Sequence, residues 1–245
     1  MIREGDGNNG QGFHYEPEGY DSVLIWLHGK GDNANSYLDL VHISKNYPEL
    51  SRTKIILPTA NVIMFKQFGF SDSAWFDMDS FGPNALEDLD DINSCVSRIT
   101  GLVSKEVEKG IDPQKITLGG FSQGAAMVFL ICMASAKYTF GSCIVVGGWL
   151  PLVERGFKEG KQSKIATEEL SFEVRESVRE NLEFLVLHGE ADPMVLHQWS
   201  LMSKDYILES IKPRKFTYKS YPGVVHTINS QMLVDIFNFL AKRGV

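Results

Sequence analysis

The chain has 245 residues, 43% hydrophobic and 22% charged, and a formal net charge of −7. That length buries a sizeable core, and the ordinary composition speaks against a fibrous or disordered protein. The acidic balance argues against a nucleic-acid partner, which favours a basic face, and gives no support for standing attachment to an anionic membrane.

The opening stretch MIREGDGNNGQGFHYEP has no apolar leader core and is rich in Gly and Asn, so residues 1–18 are expected to form a mobile tail ahead of one domain over 19–245. SVLIWLH (Ser22–His28) reads as a nearly continuous apolar strand and runs into the glycine-rich turn His28-Gly29-Lys30-Gly31-Asp32. TKIIL (Thr53–Leu57) is a second strand. NVIMFKQFGF (Asn61–Phe70) is too apolar for a plain surface loop and is expected either to line a pocket, to pack over the sheet or to make a dimer contact.

Asn84–Glu108 reads as the longest helix, with Leu86, Leu89, Ile92, Val96, Ile99, Leu102 and Val103 recurring at three and four, and Gly110 and Pro113 as stop signals. KITLGGF (Lys115–Phe121) is a strand and Ser122–Ala136 a small-residue helix expected to be buried. SCIVVGG (Ser142–Gly148), EFLVLHG (Glu183–Gly189) and KFTYKSY (Lys215–Tyr221) complete the strands, with helices over Met194–Leu208 and Asn229–Lys242. Continuous apolar runs mark strands buried on both faces, and the alternation of strand and helix predicts one α/β domain with a mostly parallel sheet flanked by helices and no large cap domain. The rhythm breaks at Glu154–Glu180, dense in charge, which reads first as a solvated loop with a surface helix and second as a lid or partner-binding insertion.

Three cysteines, Cys95, Cys132 and Cys143, suit buried thiols in a reducing compartment better than a disulfide framework, so a cytoplasmic location is expected. No apolar run reaches membrane-spanning length. His28 and His188 each precede a glycine at a strand end, but no third ligand has suitable spacing, so no metal is expected.

The chemistry gathers around Gly120-Phe121-Ser122-Gln123-Gly124, which fits G-x-S-x-G between a strand and a helix. A serine hydroxyl needs a base, and the base needs a carboxylate to orient it. In α/β-hydrolases these follow in the order Ser, Asp or Glu, His, each in a loop after a strand. Asp192, before Pro193, is favoured over Glu190 as the carboxylate, and His226 is the only histidine downstream of the last strand. Backbone N–H donors for an oxyanion are expected from Gln123, next to the serine, and from Lys30 in the turn after the first strong strand.

LHGKGD, LPTA, AWFD, EVEKGID, LGGFSQGAAM, GGWLP, HGEADPMV and YPGVVHTI occur in the order seen in acyl-protein thioesterases, so the chain resembles the phospholipase/carboxylesterase family, with its lysophospholipase-like members, from about Val23 to Leu240. The resemblance implies an α/β-hydrolase fold and a serine hydrolase acting on acyl thioesters or esters, with Ser122, Asp192 and His226 as triad and Lys30 and Gln123 as oxyanion donors. It implies no cofactor, and S-acylated proteins or small acyl esters as substrates, with room for transient membrane contact by a monomer or weak homodimer. Trp75, Phe76, Trp149 and Leu150, together with Phe68 and Phe70, are the candidate walls of the acyl site. Three departures stand out: Lys30 replaces an expected leucine, the 154–180 stretch is longer than usual, and no cysteine lies near the N-terminus. VLHQW (Val195–Trp199) is closer to the lysophospholipase-like branch, whose members prefer shorter acyl groups.

Overall fold

The structure, a computed structural model, describes residues 2–4, 12–82 and 85–244. Its strands in chain order are β1 Ile2–Glu4, β2 Phe13–Tyr15, β3 Ser22–Leu27, β4 Thr53–Leu57, β5 Val62–Phe65, β6 Phe70–Ser73, β7 Ile116–Phe121, β8 Ser142–Val146, β9 Glu183–Gly189 and β10 Lys215–Tyr221. The α-helices are α1 Leu38–Ser44, α2 Leu89–Glu108, α3 Gln123–Ala134, α4 Glu176–Asn181, α5 His197–Tyr206 and α6 Ser230–Arg243.

Eight strands form one sheet in the order β1-β2-β4-β3-β7-β8-β9-β10. From β4 through β10 the pairs are parallel, while β2 adds antiparallel to β4 and β1 to β2. The apolar runs are continuous because successive side chains leave the sheet on opposite faces and both faces are covered. Val23, Ile25 and Leu27 of β3 enter one core with Val96 and Ile99 of α2 and α3 from Ala125 to Ala134. Leu24 and Trp26 enter the other, with Leu40 and Val41 of α1 and Ile236 and Phe237 of α6. Every residue of α3 is buried, which accounts for its small, uncharged composition.

Several boundaries differ from the sequence reading. The helix expected from Asn84 begins at Leu89, because the Asp88 carboxylate accepts the Asp90 and Asp91 N–H groups at 3.0 and 3.1 Å and caps it there. Pro83 and Asn84 lie outside the described residues. The helix expected from Met194 begins at His197, since the preceding residues form a turn around Asp192. The expected mobile tail is partly strand: Phe13–Tyr15 pairs with Leu57–Ile55, and Ile2–Glu4 with Tyr15–Phe13. The rest of the tail up to residue 11 lies outside the described residues.

The charged stretch 154–180 is not merely solvated. Phe157, Leu170, Phe172, Val174 and Val178 join the core beneath α3, and Arg155 donates to the buried Glu87 carboxylate at 2.8 Å. The apolar loop 61–70 becomes a hairpin of β5 and β6, separate from the main sheet. Its Phe65 is fully buried, whereas Val62, Met64, Phe68 and Phe70 are 73, 53, 54 and 45% exposed. All three cysteines are buried and unpaired, and burial pushes the Cys95 thiol up to about 12. Among the described residues no helix is long and apolar enough to cross a membrane.

Candidate functional site

Ser122 stands between the end of β7 and the first residue of α3, with φ 55° and ψ −121°. A side chain rarely adopts that left-handed value, so the turn must be held from outside. Part of the hold is glycine. A Cβ on Gly120 would lie 2.7 Å from the Gly124 carbonyl carbon, and one on Gly124 would lie 2.4 Å from both the Leu27 and His28 oxygens. The strand, the helix and the loop after β3 thus touch backbone to backbone. The Ser122 N–H donates to the Val146 carbonyl at 2.9 Å, which fixes the elbow to β8.

His226, in the loop after β10, accepts at Nε2 from the Ser122 Oγ at 2.9 Å and donates from Nδ1 to the Asp192 Oδ2 at 2.6 Å. Asp192, in the loop after β9, uses Oδ1 to accept the Met194 and Val195 N–H groups, both at 2.9 Å. Burial raises the Asp192 carboxyl, but the His226 hydrogen bond and the two backbone N–H groups outweigh it and hold it below the usual carboxylate range. Glu190, the competing carboxylate, faces outward and accepts from Ser220 Oγ at 2.6 Å. The Phe121 ring lies 4.6 Å from the His226 ring, centre to centre. A hydroxyl, imidazole and carboxylate in this line can pass the hydroxyl proton to the ring while the carboxylate stabilises the imidazolium.

The turn after β3 lies against the serine: a Cβ on Gly29 would sit 3.3 Å from the Ser122 Cβ. His28 shapes this turn from the core. Its Nε2 accepts the Ala60 N–H at 2.9 Å and its Nδ1 donates to the Gly29 carbonyl at 2.6 Å. Burial holds its pKa below the usual imidazole range, so the ring is neutral. His188 is likewise lowered by burial and donates from Nε2 to the Val195 carbonyl at 2.8 Å. Both nitrogens of His28 and Nε2 of His188 are thus held by backbone, His188 Nδ1 is buried without a hydrogen-bond partner, and among the described residues no three His, Cys, Asp or Glu side chains stand where they could hold a metal.

Lys30 is not a free cation beside the serine. Its ammonium pairs with Asp72 on β6 at 3.2 Å and sits 4.5 and 5.0 Å from the Phe65 and Phe70 ring centres. The Gly31 N–H adds a backbone bond to the Ser73 carbonyl at 2.7 Å. Gln123 opens α3, so its N–H is one of the first-turn amides that have no acceptor within the helix. Its side chain carries a role that sequence reasoning missed: Oε1 accepts the Trp75 N–H at 2.9 Å and Nε2 donates to the Phe76 carbonyl at 2.7 Å. Trp75 in turn donates from its indole to the His28 carbonyl at 2.7 Å.

The six candidate wall residues fall into two groups. Phe76, Trp149 and Leu150 are fully buried and Trp75 nearly so, which makes them core residues rather than open walls. Phe68 and Phe70 are the exposed pair on the hairpin, their rings 6.2 Å apart.

The family model described as phospholipase/carboxylesterase matches residues 18–243. The acyl-protein thioesterase 1 of Kluyveromyces lactis is 27% identical over 223 residues, covering 90% of this chain and 91% of that protein. The acyl-protein thioesterase 1 of Yarrowia lipolytica is 24% identical over 227 residues, covering 91 and 92%. The crystal structure of Zea mays acyl-protein thioesterase 2 superposes with a TM-score of 0.75 at 24% identity, over 96% of this chain and all of that one, a likeness of fold.

Proposed function

The chain belongs to the phospholipase/carboxylesterase family, and on that premise we propose that it is a serine hydrolase cleaving the acyl thioester or carboxylic ester bond of its substrate. The observation that carries this reading is the line Asp192–His226–Ser122, with links of 2.6 and 2.9 Å, on a glycine-flanked elbow. In the proposed reaction the Ser122 Oγ attacks the acyl carbonyl while His226 Nε2 takes its proton. Asp192 keeps the ring in the tautomer that accepts from serine and stabilises the imidazolium. The Gln123 and Lys30 N–H groups receive the oxyanion, where loss of one donor typically costs on the order of a hundredfold. His226 returns the proton to the leaving thiol or alcohol, and water, deprotonated by the same ring, releases the acid.

The relatives named acyl-protein thioesterase support an S-acylated cysteine as the substrate. The exposed Phe68 and Phe70 on the hairpin suit a partly apolar acyl chain. A cytoplasmic site of action agrees with three buried, unpaired thiols. The test is labelling by a fluorophosphonate probe, together with hydrolysis of nitrophenyl esters and thioesters of increasing acyl length, for wild type beside Ser122→Ala. The expected result is labelling and turnover in wild type and neither in the folded variant. Turnover that survives the substitution overturns Ser122 as the nucleophile, and a wild type that neither labels nor turns over overturns the proposal in favour of a silent acyl-binding fold.

A further inference from the structure

His226 needs no open face if its ring only takes a proton from serine, yet the ring lines a cleft of about 310 Å³. Phe121, Ile228 and Leu233 supply apolar surface to this cleft, and Asp32 and Asp39 bring carboxylates to it. No lysine or arginine is among its lining residues. Asp32 is held in place, since its Oδ1 accepts the Asn33 N–H at 2.8 Å and the Ser36 hydroxyl at 2.5 Å. Asp39 is exposed at the start of α1. The nearby Lys30 does not offset them, because Asp72 already pairs with it.

The chemistry of acyl transfer says what stands here. When the tetrahedral adduct collapses, the oxyanion's electron pair re-forms the carbonyl, the bond from carbon to the leaving sulfur or oxygen breaks, and that atom takes the proton from His226 Nε2–H. The leaving atom must therefore lie beside this ring, which is also a wall of the cleft. We infer that this cleft receives the leaving group and selects one that bears a positive charge: a cationic thiol or alcohol, such as an acylated cysteine flanked by arginine. The inference rests on the serine-hydrolase reading above and adds its substrate class. The apolar floor takes the stem next to the sulfur, and the two carboxylates attract the charge beyond it.

The experiment compares octanoyl thioesters of thiocholine, 2-mercaptoethanol and 3-mercaptopropionate, and octanoyl-cysteine peptides flanked by arginine or by glutamate. These are measured for wild type, Asp39→Asn, Asp39→Lys and Asp32→Asn. Because the thiols differ in intrinsic leaving ability, the readout is the change in the cationic-to-anionic ratio of kcat/KM between variant and wild type. Each exposed ion pair removed should lower that ratio by up to about fivefold, and the charge reversal should lower it further. In wild type the ratio should shrink as ionic strength rises, a measurement that needs no variant. Preference for both thiocholine and the arginine peptide supports the cleft for any cationic leaving group, and preference for the peptide alone supports a flanked cysteine. A ratio that neither the Asp39 variants nor salt moves overturns the inference. Absence of Ser122-dependent turnover on every substrate would instead overturn the hydrolase reading beneath it.

Discussion

Gly124→Ala is the sharpest probe of how the elbow is held. The added Cβ would stand 2.4 Å from the carbonyl oxygens of Leu27 and His28, where ordinary contact begins near 3.4 Å. Both atoms are backbone at the end of β3, the central strand, so neither can swing aside as a side-chain tip would. The helix carrying Ser122 and Gln123 must part from the turn carrying Lys30 by about 1 Å, and a misplacement of that size costs on the order of a hundredfold in rate. Overpacking adds about 1–3 kcal/mol of destabilisation, which leaves most of the fold intact. The assay is kcat on a short-chain nitrophenyl ester, whose small acyl group makes little demand on the hairpin, beside urea unfolding. The expected result is a large fall in kcat with a modest fall in stability. A folded Gly124→Ala protein that keeps kcat within about fivefold would refute the argument that this backbone contact sets the geometry of Ser122 against the Lys30 turn.

Four other outcomes follow from particular residues. Gly101 lies inside α2, and a Cβ added there would meet nothing within 4 Å, so Gly101→Ala should raise stability by about 0.5–1 kcal/mol in thermal unfolding. Lys54 is only 2% exposed and pairs with Glu106 at 2.9 Å and Glu16 at 2.6 Å, so Lys54→Met should cost about 1–3 kcal/mol: Glu106 keeps Lys109 at 3.1 Å and the Tyr20 hydroxyl at 2.6 Å but loses its most buried partner, and adding Glu106→Gln should restore part of the loss. Phe68→Ser with Phe70→Ser should weaken long-chain substrates more than acetyl esters at little cost in stability, whereas Phe65→Ser, at 0% exposure, should cost about 3–5 kcal/mol in unfolding. The Asp192 carboxyl is lowered in the fold, so it binds fewer protons folded than unfolded; its stabilisation is complete above the ordinary value of about 4 and is lost as pH falls through the lower folded value, and the stability gap between wild type and Asp192→Asn should close in acid.

Much of this architecture was legible because burial on both faces leaves a plain trace. SVLIWLH, TKIIL and SCIVVGG are apolar at consecutive positions, and the structure covers both of their faces. The three residues of the Asp192–His226–Ser122 line were legible for a related reason: each follows a strand of a parallel sheet, and parallel strands deliver their C-terminal loops to one edge. The stretch 154–180 was not legible, since the alternation of its buried Leu170, Phe172 and Val174 lasts only three positions, Phe157 stands thirteen residues before it, and all are interleaved with charge. The partners of Gln123 and Lys30 were hidden by distance along the chain: Trp75 lies 48 residues from Gln123, and Asp72 lies 42 from Lys30. From sequence Lys30 is a departure from an expected leucine; that its charge is spent on the hairpin shows only in the fold.

Those hidden partners make the elbow, the turn and the hairpin one mechanical unit. Gln123 holds the backbone of Trp75 and Phe76 with its side chain, and the Trp75 indole holds the carbonyl of His28. Gly31 and Lys30 reach from the same turn to Ser73 and Asp72 at the end of the hairpin. A displacement of β6 is thus transmitted to the Lys30-Gly31 turn by two bonds, one to the Gly31 N–H and one to the Lys30 ammonium, and to Gln123 through Trp75. The exposed phenylalanines at the other end of that hairpin are the part of the unit open to an acyl chain. Contact there acts on the same frame that carries the proposed oxyanion donors, so a long acyl chain has a route to kcat that an acetyl group lacks. A leucine in place of Lys30 would keep the backbone N–H while removing the pair with Asp72, which is why the side chain at this position bears on geometry as well as on charge.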